Sequence, residues 1–325
     1  MKMQKVFVKS KSDINELHLW EAAGDGDLKV VQAMLRGGKV DVNWAGHEKG
    51  DRPLHRACRF GKLEIVRRLL EHPAIEPNLA NTGGASPFYI ACQEGHLGIV
   101  SLLLADPRVD PAQTEMYGAT SLFCPAALGD HKMVSMLLAD SRINPGKPSS
   151  SGITPLWMAL NMGQLIIVQL LLASWRPIDV TQKPSFTPKS PAEQARALTG
   201  EPRQSHETEA DLARKEANGL LIANLIDEYH RDPVTVMLRL RKLPVVRDHF
   251  INLTFALVVF HADNFLEMRA DCPLDPQRFF RICAQLPLDL QMVVCHRMFG
   301  SPKNIVLSFA SEPGFKWLAR PTTWT

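Results

Sequence analysis

The chain has 325 residues, which is room for one large domain or two ordinary ones. Its 37 lysines and arginines nearly balance 34 aspartates and glutamates, so a net charge of +3 gives no broad positive field for holding nucleic acid or an anionic membrane. Hydrophobic residues at 45% and charged residues at 22% lie at globular averages, which excludes wholesale disorder.

The cysteines and the N-terminal residues indicate the cellular compartment in which we expect the protein. The six cysteines are widely spaced and include no Cys-x-x-Cys pair, a pattern that indicates reduced thiols and not a disulfide framework. The first residues, MKMQKVFVKSKSD, lack the apolar region of a signal peptide. The longest apolar stretch, 251–260, is about half the length of a bilayer span. We therefore expect a cytoplasmic or nuclear protein.

Five segments with one pattern follow one another along the chain. They are LWEAAGDGDLKVVQAML (19–35), RPLHRACRFGKLEIVRRLL (52–70), SPFYIACQEGHLGIVSLLL (86–104), TSLFCPAALGDHKMVSMLL (120–138) and TPLWMALNMGQLIIVQLLL (154–172). Their central glycines lie 35, 34, 34 and 34 residues apart, at Gly26, Gly61, Gly95, Gly129 and Gly163. A second glycine series repeats every 34 residues, at Gly50, Gly84, Gly118 and Gly152. Repetition at one period predicts a solenoid of similar units.

Each unit predicts two short helices joined by a turn. Ser/Thr followed by Pro is typical of a capped helix start, and the V-x-x-L-L spacing places an apolar stripe on one face of the second helix. The central glycine allows the turn between the helices, and the earlier glycine is expected to have a positive φ in a tight hairpin. Pro125 inside the first helix of the fourth unit predicts a kinked or shortened helix.

These residues resemble the ankyrin-repeat family, whose pattern is T-P-L-H-x-A-A-x-x-G-H-x-x-I-V-x-x-L-L. The resemblance covers about residues 15–180 and implies an all-α solenoid of helix-turn-helix units with β-hairpin loops. The family histidine occurs only as His55. Because the other units carry aromatic residues there, we expect the family's Thr–His hydrogen bond to be lost in most units and replaced by aromatic packing. The aromatic residues are Trp20, Tyr89, Phe123 and Trp157.

The remaining segments extend the solenoid. We predict an N-terminal tail (1–14), five repeats (15–180), a degenerate split sixth repeat (181–231) and a helical C-terminal extension (232–325). The sixth repeat would have helices near 190–200 and 218–229, separated by a charged insert that is either mobile or a solvated helix extension. The extension is expected to cap the last repeat, as a solenoid requires for solubility.

Two other interpretations of the extension remain open. One segment is similar to the start of an F-box, which would make the protein a substrate adaptor of a cullin-type ubiquitin ligase; its residues are Leu286, Pro287, Asp289, Leu290 and Val294. A metal-binding or enzymatic C-terminal domain would instead use the densest set of possible ligands, namely His261, Asp263, Cys272, Cys283, Cys295 and His296. That set lacks the paired spacing usual for metal ligands.

No catalytic or cofactor-binding motif occurs elsewhere. The sequence has no G-x-x-x-x-G-K-[ST], no G-x-G-x-x-G after a predicted strand, no H-E-x-x-H and no G-x-S-x-G. We therefore expect a monomeric, non-catalytic scaffold without a cofactor. Its partners would be other proteins, and not nucleic acid, a membrane or a small-molecule substrate.

The resemblance also implies where a partner would bind. Ankyrin stacks resemble a cupped hand, in which hairpin tips and the ends of the first helices line a concave face. Those positions carry charge in the early units and apolar side chains in the later ones, which is typical of an interface core beside a charged edge. The expected contacts are Glu48, Lys49, Asp51, Arg59, Phe60, Gln93, Glu94, Met116, Tyr117, Leu128, Ile153, Asn161 and Met162. The alternative is that the C-terminal helices cover the apolar members and make them core.

Overall fold

The computed structural model describes residues 11–38, 40–46, 49–174, 176–198 and 208–247, which form helices and turns without a β-strand. They belong to two compact units. The first comprises the described residues as far as Pro125, with Pro148–Ser151. The second comprises Ala126–Lys147 and the described residues from Gly152 onward. The predicted all-α repeat solenoid is confirmed.

The helices follow the predicted pairs. In the first unit they are α1 (Lys11–Asp25), α2 (Leu28–Gly37), α3 (Pro53–Arg59), α4 (Leu63–Leu70), α5 (Pro87–Gln93) and α6 (Leu97–Ala105). The fourth repeat begins with α7 (Phe123–Leu128). The second unit continues with α8 (His131–Leu138), α9 (Pro155–Asn161), α10 (Leu165–Ala173), α11 (Pro191–Ala197), α12 (Glu209–Arg231) and α13 (Pro233–Leu240).

The helices start and pack as their sequences predict. The Ser86 and Thr154 hydroxyls accept hydrogen bonds from the backbone N–H of the third residue of α5 and α9, and a proline occupies the first turn of each helix. The V-x-x-L-L stripes are buried, as at Val66 and Leu69 in α4. Each fully buried aliphatic side chain of this kind contributes roughly 1.5–3 kcal/mol to folding.

Pro125 shortens α7, as expected. Helices α3, α5, α9 and α11 begin at the proline that follows Ser, Thr or Arg52, whereas α7 begins at Phe123, two positions later in the repeat. Pro125 then lies in the first turn of α7, where a backbone N–H has no partner within the helix and its absence costs little.

The loops between repeats are tight turns closed by backbone hydrogen bonds. Asn81 N–H donates to Ala85 O over 3.0 Å, and Glu115 N–H donates to Ala119 O over 3.1 Å. Both glycine series have the expected positive φ, as at Gly84 with φ 74°. A Cβ at Gly84 would lie 2.5 Å from the backbone nitrogen of Met116. This glycine therefore serves both the turn and the close approach of the next loop.

Arginines join successive repeats at the ends of the second helices. Arg108 donates to Leu70 O at the end of α4 over 2.6 Å, and Arg176 donates to Leu138 O at the end of α8 over 3.3 Å. Arg241 follows α13 and donates twice to Ala173 O at the end of α10, over 3.1 and 3.0 Å. The C-terminus of a helix carries partial negative charge and unpaired carbonyls. Each arginine therefore stabilises the helix whose last carbonyls it contacts.

Helices α11 and α12 lie in the segment predicted to be a split sixth repeat, and α12 is long, with 23 residues. Ser190 and Glu193 form a capping box at the start of α11. The predicted insert lies partly at 199–207, outside the described residues, and from Glu209 it forms the beginning of α12. Helix α13 packs against α10 and α12. The F-box-like segment and the possible ligand set lie beyond residue 247, outside the described chain, so both interpretations stay predictions.

Candidate functional site

The predicted contact residues of the first unit differ in exposure. Phe60, Met116 and Tyr117 have 47%, 60% and 64% of their surfaces exposed. Lys49, Gln93 and Glu94 are also exposed, and Arg59 is half-buried. Asp51 is buried, and Glu48 lies outside the described residues.

Asp51 organises its neighbours instead of facing solvent. One carboxylate oxygen accepts from the Arg59 guanidinium over 3.0 Å, and the other accepts from the Asn81 amide over 2.7 Å. Arg59 also donates to Glu94 over 3.5 Å. The buried carboxylate of Asp51 therefore fixes the position of the Arg59 guanidinium. The sequence pattern could not show this burial, since Asn81 lies 30 residues away.

His55 and Trp20 each join one repeat to the next. His55 Nδ1 accepts from the backbone N–H of Arg52 over 3.2 Å, so the proton lies on Nε2, which donates to Ala85 O over 3.1 Å. Burial lowers the pKa of His55 to about 4. Trp20 occupies the matching position in the first repeat, and its indole N–H donates to Asp51 O over 2.7 Å. An inter-repeat hydrogen bond is thus kept at Trp20, which the expectation of simple aromatic packing did not include.

Arg56 is a half-buried residue that the sequence pattern did not single out. Its guanidinium carbon lies 4.0 Å from the Trp20 ring centroid and 4.6 Å from the Phe60 ring centroid, so both rings contact the cation. Burial lowers the pKa of Arg56 from its ordinary value, and the carboxylates of Asp25 and Asp51 oppose that change. The signal available in the sequence was its position directly after His55 in the first helix.

The hairpin tips are joined to one another through their backbones. Thr82 N–H donates to Lys49 O over 2.9 Å, Met116 N–H to Gly83 O over 3.0 Å, and Ser150 N–H to Tyr117 O over 2.8 Å. The exposed side chains of Met116 and Tyr117 therefore project from a backbone that is already ordered. A partner would not have to pay the cost of ordering it.

The second unit holds the other four predicted contacts. Leu128 has 70% of its surface exposed, and Ile153 is half-buried. Asn161 accepts from the Gln194 amide over 3.3 Å, and Met162 O accepts from Arg214 over 3.1 Å. Residues of α11 and α12 thus already contact Asn161 and Met162.

The described residues offer little reactive chemistry. Burial raises the pKa of the Cys58 and Cys92 thiols, so both are protonated at neutral pH. Within the described ranges, three or more His, Cys, Asp or Glu side chains do not come together as a metal site would require. In the same part of the chain, the helices are too short or too polar to cross a bilayer.

Comparisons with known proteins agree with this geometry. A family model described as "Ankyrin repeats (3 copies)" matches residues 19–115 and 88–184. The crystal structure of EF0377, an ankyrin repeat protein, is similar with a TM-score of 0.51 and 23% identity, over 62% of this chain and 96% of that one. At this identity the similarity shows the fold alone. Ankyrin repeats are protein–protein interaction modules and typically non-catalytic. The chain belongs to the ankyrin-repeat family.

Proposed function

We propose that the protein is a non-catalytic scaffold or adaptor that binds partner proteins through its hairpin tips and the ends of its first helices. The observation that carries this proposal is the exposure of Phe60, Met116 and Tyr117 on an ordered backbone. Aromatic residues and methionine are enriched in the cores of protein interfaces, and large apolar side chains held open to water gain free energy when a partner covers them.

The neighbouring polar residues supply specificity. The polar members of the first-unit contact set that are described and either exposed or half-buried are Lys49, Arg59, Gln93 and Glu94. Buried Asp51 acts through its ion pair with Arg59. Charged groups at the edge of an interface steer association and exclude wrong partners more than they add affinity. In the second unit, Leu128 is the exposed contact, whereas Ile153, Asn161 and Met162 are half-buried.

We further propose that the region from residue 232 caps the last repeat. We also propose that the protein acts in the cytoplasm or nucleus. The bonds from Arg241 to Ala173 O support the cap, because they repeat the arginine contacts made between earlier repeats. The free thiols of Cys58, Cys92 and Cys124 support a reducing compartment.

The test is quantitative affinity purification with mass spectrometry of the full chain. We would compare the natural protein with a Phe60→Ala, Tyr117→Ala double variant and with a control, Arg67→Ala, on the exposed face of α4. The proposal expects a defined partner set that the double variant loses and the control keeps, while circular dichroism shows all three folded. Retention of the same set by the folded double variant would contradict the proposal.

A further inference from the structure

Arg56, Trp20, Phe60 and Gly24 form a three-sided enclosure that we name the Arg56 clamp. The two rings contact the guanidinium at 4.0 and 4.6 Å. On the third side, a Cβ at Gly24 would lie 2.7 Å from a terminal nitrogen of Arg56, so the guanidinium occupies space that another residue would fill. Trp20 is itself fixed by its hydrogen bond to Asp51 O. The cation is therefore held in one orientation before any partner arrives.

Among the described residues, no side-chain hydrogen bond joins Arg56 to an acceptor. Its Nε is buried and lacks an acceptor among the described residues. Arg59 differs, because it donates to both Asp51 and Glu94. Burial removes part of the hydration of a charged group, and without a hydrogen bond this loss is not compensated. Binding of an anion to such a group is therefore strongly favourable.

The surroundings also limit what that anion can be. Glu21 and Asp25 are exposed acids whose charges act on Arg56, together with buried Asp51. A run of carboxylates would be repelled by these three residues. A single carboxylate placed against the guanidinium would gain a two-bonded, planar contact that a lysine could not provide.

We infer that the Arg56 clamp binds one aspartate or glutamate side chain of a partner protein, in a segment that is otherwise uncharged and apolar. The apolar neighbours of that carboxylate would cover the exposed face of Phe60, which is 47% accessible. This inference rests on the proposed function, since it names the chemistry of the segment that the same surface would bind.

The test is selection of phage-displayed random peptides on the immobilised full chain, on Arg56→Glu and on a charge-matched control, Arg67→Glu. Arg67 lies on α4 with 47% of its side chain exposed. The expected result is one enriched Asp or Glu, flanked by apolar residues, on the natural chain and on the control. On Arg56→Glu the acid should be replaced by Lys or Arg.

Synthetic peptides then measure the contact without a charge reversal. Loss of a charged hydrogen-bonded pair corresponds to roughly a tenfold or larger fall in affinity, which is expected for Arg56→Gln. Arg56→Lys should also bind more weakly, because it keeps the charge but not the planar pair of donors. Thermal melting of each variant checks that it is folded.

The possible failures are distinguishable. Peptides that need Phe60 but show no selected acid, or that bind Arg56→Gln as well as the natural chain, overturn the clamp and leave the proposed function standing. Equal affinity of Arg56→Lys overturns the two-bonded contact. If no selected peptide loses affinity on Phe60→Ala or Tyr117→Ala, both the clamp and the proposed function are contradicted.

Discussion

Mild acid is expected to destabilise the first unit through His55. The imidazole is fully buried and neutral, with Nδ1 accepting from Arg52 N–H and Nε2 donating to Ala85 O. Burial is the largest cause of its low pKa; the Asp51 charge and the Ala85 hydrogen bond oppose the change, and Arg52 and Arg59 reinforce it. Protonation of Nδ1 would remove the acceptor for Arg52 and place an extra charge in the core.

The magnitude follows from the two pKa values. In the unfolded chain the imidazole takes up its proton near 6.5, whereas in the folded protein it remains neutral to about 4. Between these two pH values the unfolded state binds more protons than the folded state. The contribution of neutral His55 to the free energy of unfolding is therefore fully present above pH 6.5 and is lost as the pH falls toward about 4. The free energy of unfolding is lower by about 3 kcal/mol when the pH equals the folded-state pKa.

The assay is urea unfolding followed by circular dichroism at several values between about pH 7.5 and about pH 4.5. His55→Gln provides the comparison, because glutamine is neutral throughout and keeps a donor for Ala85 O. The natural protein should lose more stability than the variant across this range, so that the difference between them shrinks with acid. Parallel losses in the two proteins would refute the assignment of this pH dependence to His55.

The remaining predictions concern stability and thiol reactivity. Arg241→Ala removes both donors from Ala173 O and should lower stability by about 1.5–3 kcal/mol, measured by thermal unfolding against the exposed control Arg67→Ala. Gly84→Ala should cost more than about 1 kcal/mol because of its positive φ and the close Met116 backbone, whereas Gly37→Ala, which has open space, should be neutral or stabilising. Native alkylation with iodoacetamide should leave Cys58 and Cys92 unmodified, and peptide mass spectrometry would detect both after denaturation.

Each of these predictions has a contradicting outcome. Equal melting temperatures of Arg241→Ala and Arg67→Ala would mean that Arg241 does not stabilise the end of α10. A Gly84→Ala protein as stable as Gly37→Ala would show that the hairpin tolerates a side chain there. Rapid native labelling of Cys58 would require this part of the core to open frequently.

The repeat architecture could be predicted because its signals are local. A proline after a serine or threonine, a glycine at the turn and a V-x-x-L-L stripe each act within one helix pair, and the 34-residue period places them in register. The same locality explains Pro125, whose effect on α7 depends only on its own first turn.

The candidate site could be predicted only in part, because much of it depends on contacts between repeats. The exposed positions of Phe60 and Tyr117 followed from their places in the repeat. The burial of Asp51 did not, since it requires Arg59 and Asn81 to converge on one carboxylate. The Arg56 clamp was also hidden, because Trp20 comes from the preceding repeat.

The contact of Asn161 and Met162 with the sixth repeat has a similar origin. Gln194 and Arg214 reach these residues from segments 33 and 52 positions away. The repeat pattern places both residues at the end of a first helix, where earlier units are open. The repeat pattern does not predict that the long α12 lies against the turn that follows α9.

The most direct test of partner recognition at the predicted surface is site-specific photo-crosslinking in cells. A photoreactive phenylalanine derivative would replace Phe60 or Tyr117 in separate full-length proteins, and Arg67 on α4 in the control. The account predicts that the same partner proteins are crosslinked from positions 60 and 117 and not from position 67. Crosslinks to partner proteins from position 67 alone would contradict it.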